Sequence, residues 1–419
     1  MNIVGLVTEY NPFHNGHKYH LEMSKKITSC DYSICVMSGN FVQRGEPAIV
    51  DKFHRAKMAV KNGIDLVIEL PIIYACRSAE AFAQGAIATL TSTNVVKSLS
   101  FGSECGNINT LKLLADIICE EPFEYKNMLK NNLKKGMSFP KARSKALKKY
   151  LLDNNNFDLT NVDDILSSSN NILGLEYLKA LKKLDSNIVP YTYERIGSEY
   201  NERNLNGFFS SATAIRKLLN SKKYIDEIKL VVPTCTYEIL KEFHEKYNSF
   251  NNLANYNDIL LYLLRTNRDL YDFHILNIEK GLNDRIYQAS LKNNDIYKII
   301  DCIKTKRYTY TRIKRILMHI LLNLDSDFLL KHTYDNPYYI RVLAMNTKGM
   351  KILKKIKKES DIPIITKFSD SKYLNTITET GKKILSLEKK ATDIYFLPFK
   401  TKQLTTNLDY KVSPYIHKE

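Results

Sequence analysis

A chain of 419 residues exceeds one typical core, so two or three domains are expected. Hydrophobic residues make up 44% and charged residues 26%, a globular balance, and no apolar run approaches the roughly 18 residues of a membrane span. The formal charge of +17 favours a polyanionic partner, because clustered Lys and Arg gain affinity by displacing counterions from phosphates.

The excess is uneven: residues 1–220 carry a net +5 and residues 221–419 a net +12. The apolar start IVGLV runs straight into Thr8, Glu9 and Asn11 with no basic region ahead of it, so a cytoplasmic protein without a signal peptide is expected. Seven cysteines, odd in number and nowhere in a CxxC, argue against a disulfide framework and a thiolate zinc site. They read as reduced, mostly buried thiols.

In chain order, NIVGLVTEY reads as a strand followed by a helix from His17, and YSICVMS as a strand followed by HRAKMAVKNG, closed by Gly63. IDLVIEL precedes the helical SAEAFAQGAIATLTS, and KSLSFGSE is the next strand. Strands alternating with helices at this spacing predict a parallel sheet with right-handed crossovers. Helical signals fill 108–152, a β pattern returns at IVPYTYERI (188–196), and SSATAIRKLLN (210–220) reads as a capped helix. The first domain is therefore expected over 1–220, as a Rossmann-like α/β unit. After VVPTC the pattern is mainly helical, through EILKEFHEKY, DILLYLLRT and TRIKRILMHILLNL, with β-like pieces IPIITKF and DIYFLPF near the end. Residues 221–419 are expected to form a separate, mostly helical basic domain.

The stretch HNGHKYH places His14, His17 and His20 at intervals of three, where the first strand gives way to a helix. That is the carboxyl edge of a parallel sheet, the ligand-binding edge of α/β proteins. Three readings are open. A metal site lacks further Cys, His or an HExxH arrangement nearby, and His14 precedes the helix. Surface or capping histidines are the plain structural alternative. The third is a phosphate cradle, in which unpaired N–H groups of a helix start, a close approach at Gly16 and two imidazoles all face phosphate oxygens. Such donors suit displacement at phosphorus, where charge grows on non-bridging and leaving oxygens. Lys18 is a further candidate phosphate contact, and EMSKK (22–26) reads as solvated helix surface. Downstream, Ser211, Thr213 and Arg216 open the SSATAIR helix, either as phosphate ligands or as an ordinary cap with a surface arginine. Gln43, Arg44 and Glu46 lie in a polar loop after the second strand, again on the ligand edge, and suit a lid or a second-substrate pocket.

Two stretches concentrate positive charge. Residues 126–149 hold nine Lys or Arg and no acid, and residues 304–315 hold six, interleaved with Tyr308 and Tyr310. Basic side chains that neutralise phosphates beside tyrosines that stack on unpaired bases suit single-stranded RNA; solvated helix faces are the alternative. The RNA candidates are Lys134, Lys135, Lys141, Arg143, Lys306, Arg307, Tyr308, Arg312 and Arg315.

His14, Gly16 and His17 resemble the HxGH nucleotidyltransferase superfamily, and SSATAIR resembles its phosphate-binding helix start, with Ala212 where a second serine is common. Longer blocks are similar to the bacterial tRNA(Met) cytidine acetate ligases: GLVTEYNPFHNGH, SGNFVQRGEPAIVDKFHRAKMA, LSFGSE, SNNILGLEYLKAL, ERIG and TKRYTYTRIKRIL. That resemblance implies an enzyme that condenses acetate with ATP, releases pyrophosphate, and acetylates the exocyclic amine of the wobble cytidine of elongator tRNA(Met). It implies ATP contacts at Val7, Thr8, Glu9, Tyr10, Asn11, Pro12, Phe13, His14, Asn15, Gly16, His17, Lys18, Tyr19 and His20, and at Gly102, Asn170, Arg195 and Ile196. Ser211 and Thr213 join the ATP set, and His14, His17 and Arg216 carry catalysis. Magnesium is expected to bridge phosphates, with no protein metal site and no membrane partner. A small-molecule adenylyltransferase and an inactive tRNA-binding protein remain the rival readings.

Overall fold

The computed structural model describes residues 1–419 apart from 138, 155–161, 196–209, 222–224, 269–277, 370–374, 402 and 419. Its centre is an eight-stranded sheet. Strands β1 (Ile3–Thr8), β2 (Tyr32–Ser38) and β5 (Leu66–Leu70) are almost wholly buried, which is why they read as continuous apolar runs without alternation. Strands β6 (Ser98–Ser103) and β7 (Val189–Glu194) extend the parallel sheet beyond β1. A short hairpin, β3 (Phe41–Val42) and β4 (Glu46–Pro47), stands apart from it.

Three strands come from the second half. Strand β8 (Ile340–Asn346) pairs antiparallel with β5, and β9 (Ile364–Ile365) and β10 (Tyr415–His417) pair parallel with β8. The strand order is β10-β8-β5-β2-β1-β6-β7, with β9 attached to β8. The halves expected at 1–220 and 221–419 thus share one sheet. IPIITKF does contain β9, whereas DIYFLPF (393–399) covers the last three residues of the helix Glu379–Tyr395 and the turn that follows. Tyr395 at the helix end and Phe396 and Phe399 in the turn are buried in the core, so the run reflects burial and not a strand period. The described residues of 234–331 are mainly helical, as expected. All seven cysteines are free; Cys30, Cys35 and Cys76 are buried and Cys302 is exposed.

Sheet propagation reverses at β1, with β2 on one flank and β6 on the other. The crevice above such a reversal is where open α/β sheets bind ligands. Helix α1 (Asn15–Thr28) starts there, and helix α2 (Lys52–Lys61) begins at Asp51, whose carboxylate accepts the Phe53 and His54 N–H groups at 2.8 and 3.1 Å. Arg55 on α2 is fully buried. Its guanidinium donates to the carbonyls of Glu9 (2.6 Å), Ser38 (3.1 Å), Val50 (3.0 Å) and Gly39. One cation therefore satisfies the carbonyls left unpaired where β1 and β2 end, and holds both loops over the crevice.

A second buried charge group joins the halves. Lys52 lies 2.7 Å from Glu69 and 2.8 Å from Asp409, and Arg341 lies 2.8 Å from Glu69 and 2.7 Å from Asp409. Arg341 and Lys52 hold the Asp409 carboxyl well below the usual range, against the opposing effect of burial. Removing one member leaves desolvated charge unpaired, so Asp409→Ala is expected to cost about 3–5 kcal/mol, read as a fall in the urea-denaturation midpoint. A loss below about 1 kcal/mol, the scale of an exposed pair, would show that the network does not join the halves.

Candidate active site

Above the end of β1 lies a cleft of about 1090 Å³, larger than a typical small-ligand pocket of roughly 300–1,000 Å³ and able to take a nucleotide with a second group. Its wall combines the β1–α1 turn, the ends of β6 and β7, the β3–β4 hairpin, and the starts of the helices Ser169–Lys183 and Ala212–Asn220. Val7, Thr8, Glu9, Tyr10, Asn11, His14, Gly16, His17, Tyr19, His20, Gly102, Asn170, Arg195, Ser211, Thr213 and Arg216 all line it. The structure therefore gathers most of the expected nucleotide residues at one place.

Four expected contacts fall outside this wall. Phe13 is fully buried and Pro12 lies beside it in the core. Asn15 is turned to the second half: its backbone N–H donates to the Val231 carbonyl (3.1 Å) and its amide to the Leu230 carbonyl (3.0 Å). Lys18 is exposed on α1 and does not line the cleft. Ile196 lies outside the described residues.

The imidazoles have a defined hydrogen-bond state. His14 is the N-cap of α1, and its Nδ1 accepts the Gly16 N–H at 3.0 Å; His17 Nδ1 in turn accepts the His14 N–H at 3.3 Å. An acceptor Nδ1 on a neutral ring places the proton on Nε2. Each histidine thus spends one nitrogen on the helix start and keeps an Nε2–H donor. The rings lie 3.8 Å apart between centroids at 32°. Burial, then Arg195 and Arg216, lower the His14 pKa to about 3; burial, then His14, lowers that of His17 well below 6.5. His20 is lowered to about 4, chiefly by burial, and its Nδ1 lies 2.8 Å from the Tyr193 hydroxyl of β7. A Cβ at Gly16 would stand 2.8 Å from the His14 ring, so this glycine makes room for the capping imidazole. The histidines therefore cap the helix, and each keeps the one donor that a phosphate cradle would require.

Arg216 reaches the same corner. It donates to the Asn11 carbonyl (2.9 Å) and to Thr213 Oγ1 (3.3 Å), and pairs with Glu46 at 3.2 Å. Glu46 also pairs with Lys314 at 3.0 Å. Burial disfavours the Glu46 anion, but Arg216, Lys314 and Arg44 outweigh it and hold its pKa below the ordinary value. Ser211 caps its helix by accepting the Ala214 N–H at 3.2 Å. The neighbouring Ser210 hydroxyl is buried, has no hydrogen-bond partner among the described residues and lines the cleft, a polar atom that sequence reasoning passed over and that fits a phosphate oxygen. Asn170 donates its amide to Glu104 at 2.7 Å, and Glu104 also accepts the Asn171 N–H at 2.8 Å. Glu104 is thus the acid that caps the helix carrying Asn170. The cleft also includes Phe82, Phe101, Tyr177, Tyr193 and Thr311; apolar residues of helices and strands carry no local sign that they face a ligand.

With the geometry in place, comparison with known proteins is informative. The HIGH Nucleotidyl Transferase family model matches residues 1–409. A tRNA(Met) cytidine acetate ligase of Thermoanaerobacter sp. (strain X514) is 48% identical over 98% of each chain. One of Clostridium perfringens (strain ATCC 13124) is 46% identical over 99% of this chain and 100% of its own. The chain belongs to the tRNA(Met) cytidine acetate ligase family. Thermotoga maritima TmcAL superposes with a TM-score of 0.94 at 36% identity in its apo crystal form, and 0.92 at 35% in the form bound with alpha-thio ATP, each over 100% of both chains. The Rossmann-like nucleotidyltransferase fold is therefore common to this chain and that ligase.

For a tRNA(Met) cytidine acetate ligase family member, the positions of the basic side chains matter. Lys134, Lys135 and Lys141 are exposed at the junction of the helices Phe123–Lys134 and Phe139–Asp153, and Arg143 is partly buried there. Lys306 and Arg307 are exposed ahead of the helix Tyr310–Leu322. The Tyr308 ring lies between Arg307 and Arg312, at 5.7 and 5.2 Å from its centroid. Arg307 and Arg312 also meet Glu279, which takes part of their charge. Arg315 departs from the expected outward role: it is partly buried with its guanidinium 3.5 Å from the Gln43 carbonyl, because its helix packs against the hairpin at Gly45. Gly45 has φ +76° and no space for a Cβ against the Arg315 backbone. This contact brings the second basic stretch to the cleft, where Thr311 joins the wall.

Among the described residues no cluster of three His, Cys, Asp or Glu could hold a metal, and no helix is long and apolar enough to cross a membrane. In the free protein, His14, His17 and His20 are expected not to titrate between about pH 5 and 8, where free histidine titrates near 6.5. Nitrogen-15 imidazole shifts should report Nε2–H tautomers for His14 and His17. A midpoint near 6.5, or an Nδ1–H on either ring, would contradict the cap geometry.

Proposed function

We propose that this chain activates acetate with ATP as an acetyl-adenylate, releasing pyrophosphate, and then acetylates the exocyclic amine of the wobble cytidine of elongator tRNA(Met). The observation that carries the reading is one cleft that gathers two Nε2–H imidazoles at a helix start with Arg216, while the basic helix Tyr310–Leu322 abuts its hairpin wall. The names of the relatives support the same substrate and reaction.

An acetate oxygen attacks the α-phosphorus and the pyrophosphate oxygen departs, so the enzyme needs alignment and donors where charge develops. His14 and His17 supply neutral Nε2–H donors already oriented by the α1 backbone, which cost no reorganisation as the bond breaks. Arg216, with Ser210 and Ser211 at the next helix start, receives the departing pyrophosphate. Nucleotide phosphates would draw Arg216 away from Glu46, since two phosphate groups carry more charge than one carboxylate. Glu9 is the sole acid of the cleft wall among the described residues, so the wall offers no carboxylate cage for magnesium; such an ion would be held by the nucleotide phosphates and water, and would offset the phosphate charge. The exposed Lys and Arg of 126–149 and 304–315 contact tRNA phosphates, and Tyr308 stacks on an unpaired base. A cytoplasmic setting, where tRNA, ATP and acetate meet, belongs to this reading.

Incubation with ATP, labelled acetate and tRNA(Met), followed by RNA digestion, should yield N4-acetylcytidine. Label confined to RNA-free products would favour a small-molecule adenylyltransferase, and no label an inactive RNA-binding protein. His17→Ala should lower turnover by about 10²–10³-fold, the range for removing one preorganised donor, with an unchanged far-ultraviolet circular dichroism spectrum. Replacing both Lys306 and Arg307 by Ala should weaken tRNA binding and reduce the slope of log K against log salt by about 2, near one for each cation that no longer meets a phosphate. An unaltered slope would remove this stretch from the RNA surface.

A further inference from the structure

Acetyl transfer to an exocyclic amine needs a proton acceptor. The lone pair of that nitrogen is delocalised into the base, and attack on an acyl carbon leaves the nitrogen positive unless a proton departs. Few groups in the cleft qualify. His14 and His17 each use Nδ1 to accept a backbone N–H and hold their proton on Nε2, so neither neutral ring has a free lone pair. His20 is engaged with Tyr193 of β7, on the flank where Gly102 and Arg195 also lie. The arginines cannot accept a proton, and burial raises the pKa of Tyr10, Tyr177 and Tyr193, which keeps them protonated.

Glu9 remains. It is the sole acidic residue of the cleft wall among the described residues, and it immediately follows β1, at the reversal of the sheet. Its carboxylate turns to the β2 flank, where Oε1 accepts the Gln43 N–H of the hairpin at 2.9 Å. Gly102 and Arg195 lie on the other flank, at β6 and β7 beyond β1, and the hairpin flank is the one closed by the helix Tyr310–Leu322. A carboxylate is repelled by a triphosphate, so it suits the second substrate better than the nucleotide. Its main chain is fixed as well, since Arg55 holds the Glu9 carbonyl at 2.6 Å. Burial pushes the Glu9 carboxyl above its ordinary value, outweighing the Gln43 amide, Arg44 and Arg216, and a base of raised pKa is the stronger acceptor near neutrality.

We infer that the Glu9 carboxylate is the general base of the transfer step, taking a proton from the cytidine amine as its nitrogen bonds to the acetyl carbon. The nitrogen lone pair forms the N–C bond, and the carbonyl π pair moves onto oxygen. The proton passes to Glu9, and the N–H electron pair stays on nitrogen. Collapse restores the carbonyl and breaks the acyl C–O bond, whose electrons leave with AMP. The products are acetylcytidine, AMP and a protonated Glu9, which returns its proton to water. This inference rests on the proposed tRNA acetylation, and it assigns to the Glu9 side chain a role apart from nucleotide binding.

Glu9→Gln in the full-length protein is the test, because glutamine keeps an oxygen acceptor for the Gln43 N–H and accepts no proton. Activation is read without tRNA as acetate-dependent exchange of labelled pyrophosphate into ATP, and transfer as single-turnover acetylation of a tRNA(Met) transcript. The variant should lose about 10²–10⁴-fold in transfer, the span of general-base catalysis, with less than about a tenfold loss in exchange. The wild-type transfer rate should rise with pH at unit slope to a plateau, and that of the variant should be flat. Equal losses in both reactions would overturn the inference and assign Glu9 to the nucleotide or its magnesium. Transfer within about threefold of wild type would also overturn it, because a lost general base costs at least about 10²-fold. A wild-type protein that exchanges pyrophosphate but leaves tRNA unmodified would reject the proposed function itself, a result distinct from either.

Discussion

Helix starts leave N–H groups without a partner in the helix, and at α1 imidazole nitrogens take up two of them. His14 and His17 accept the Gly16 and His14 N–H groups through Nδ1, which directs their remaining proton into the cleft on Nε2. A structural requirement common to helix starts thereby sets the tautomer of the two histidines proposed to assist phosphoryl transfer. Had a serine or aspartate capped α1, the helix would have been equally satisfied and the cleft would have lost its donors. Gly16 completes the arrangement by leaving room for the His14 ring.

Around this start, buried cations replace what loops cannot supply. Arg55 takes up the carbonyls where β1 and β2 end, and Arg216 takes the Asn11 carbonyl from the far side of the crevice. Carbonyls at strand ends must be paired or wet; pairing them to guanidinium groups keeps the crevice floor rigid and positive. The same device links the halves, where Lys52 and Glu69 meet Arg341 and Asp409. Glu46 then connects Arg216 to Lys314 of the basic helix Tyr310–Leu322. One carboxylate thus stands between the residue assigned to pyrophosphate and the helix assigned to RNA.

The parallel strands, the helix starts and the two phosphate-facing motifs were legible because each leaves a local signature. Buried strands β1, β2 and β5 are apolar without alternation, HNGH sits where a strand meets a helix, and SSATAIR carries its own cap. The division at residue 220 was drawn from a change of local period, and period carries no information on pairing partners. Strand β8 joins β5 from the other half of the chain, with Ile68 opposite Val342, and DIYFLPF, a helix end and turn, had the composition of a strand because its aromatic residues are buried. Asn15 and Phe13 lie in the motif expected to contact the nucleotide, yet the Asn15 amide donates to the Leu230 carbonyl and Phe13 fills the core; a contiguous motif does not say which way each side chain turns.

By itself the sequence determined a parallel α/β sheet with a histidine-bearing helix start, a second capped helix start and two basic stretches, since these depend on neighbours within a turn or a strand. Tertiary structure alone decided that β8, β9 and β10 complete that sheet, that Arg315 faces the hairpin, and that Glu9 lies on the flank opposite Gly102. The reason is that pairing, burial and the direction of a side chain into a shared cleft arise from contacts between residues far apart in the chain, for which a local pattern leaves no trace.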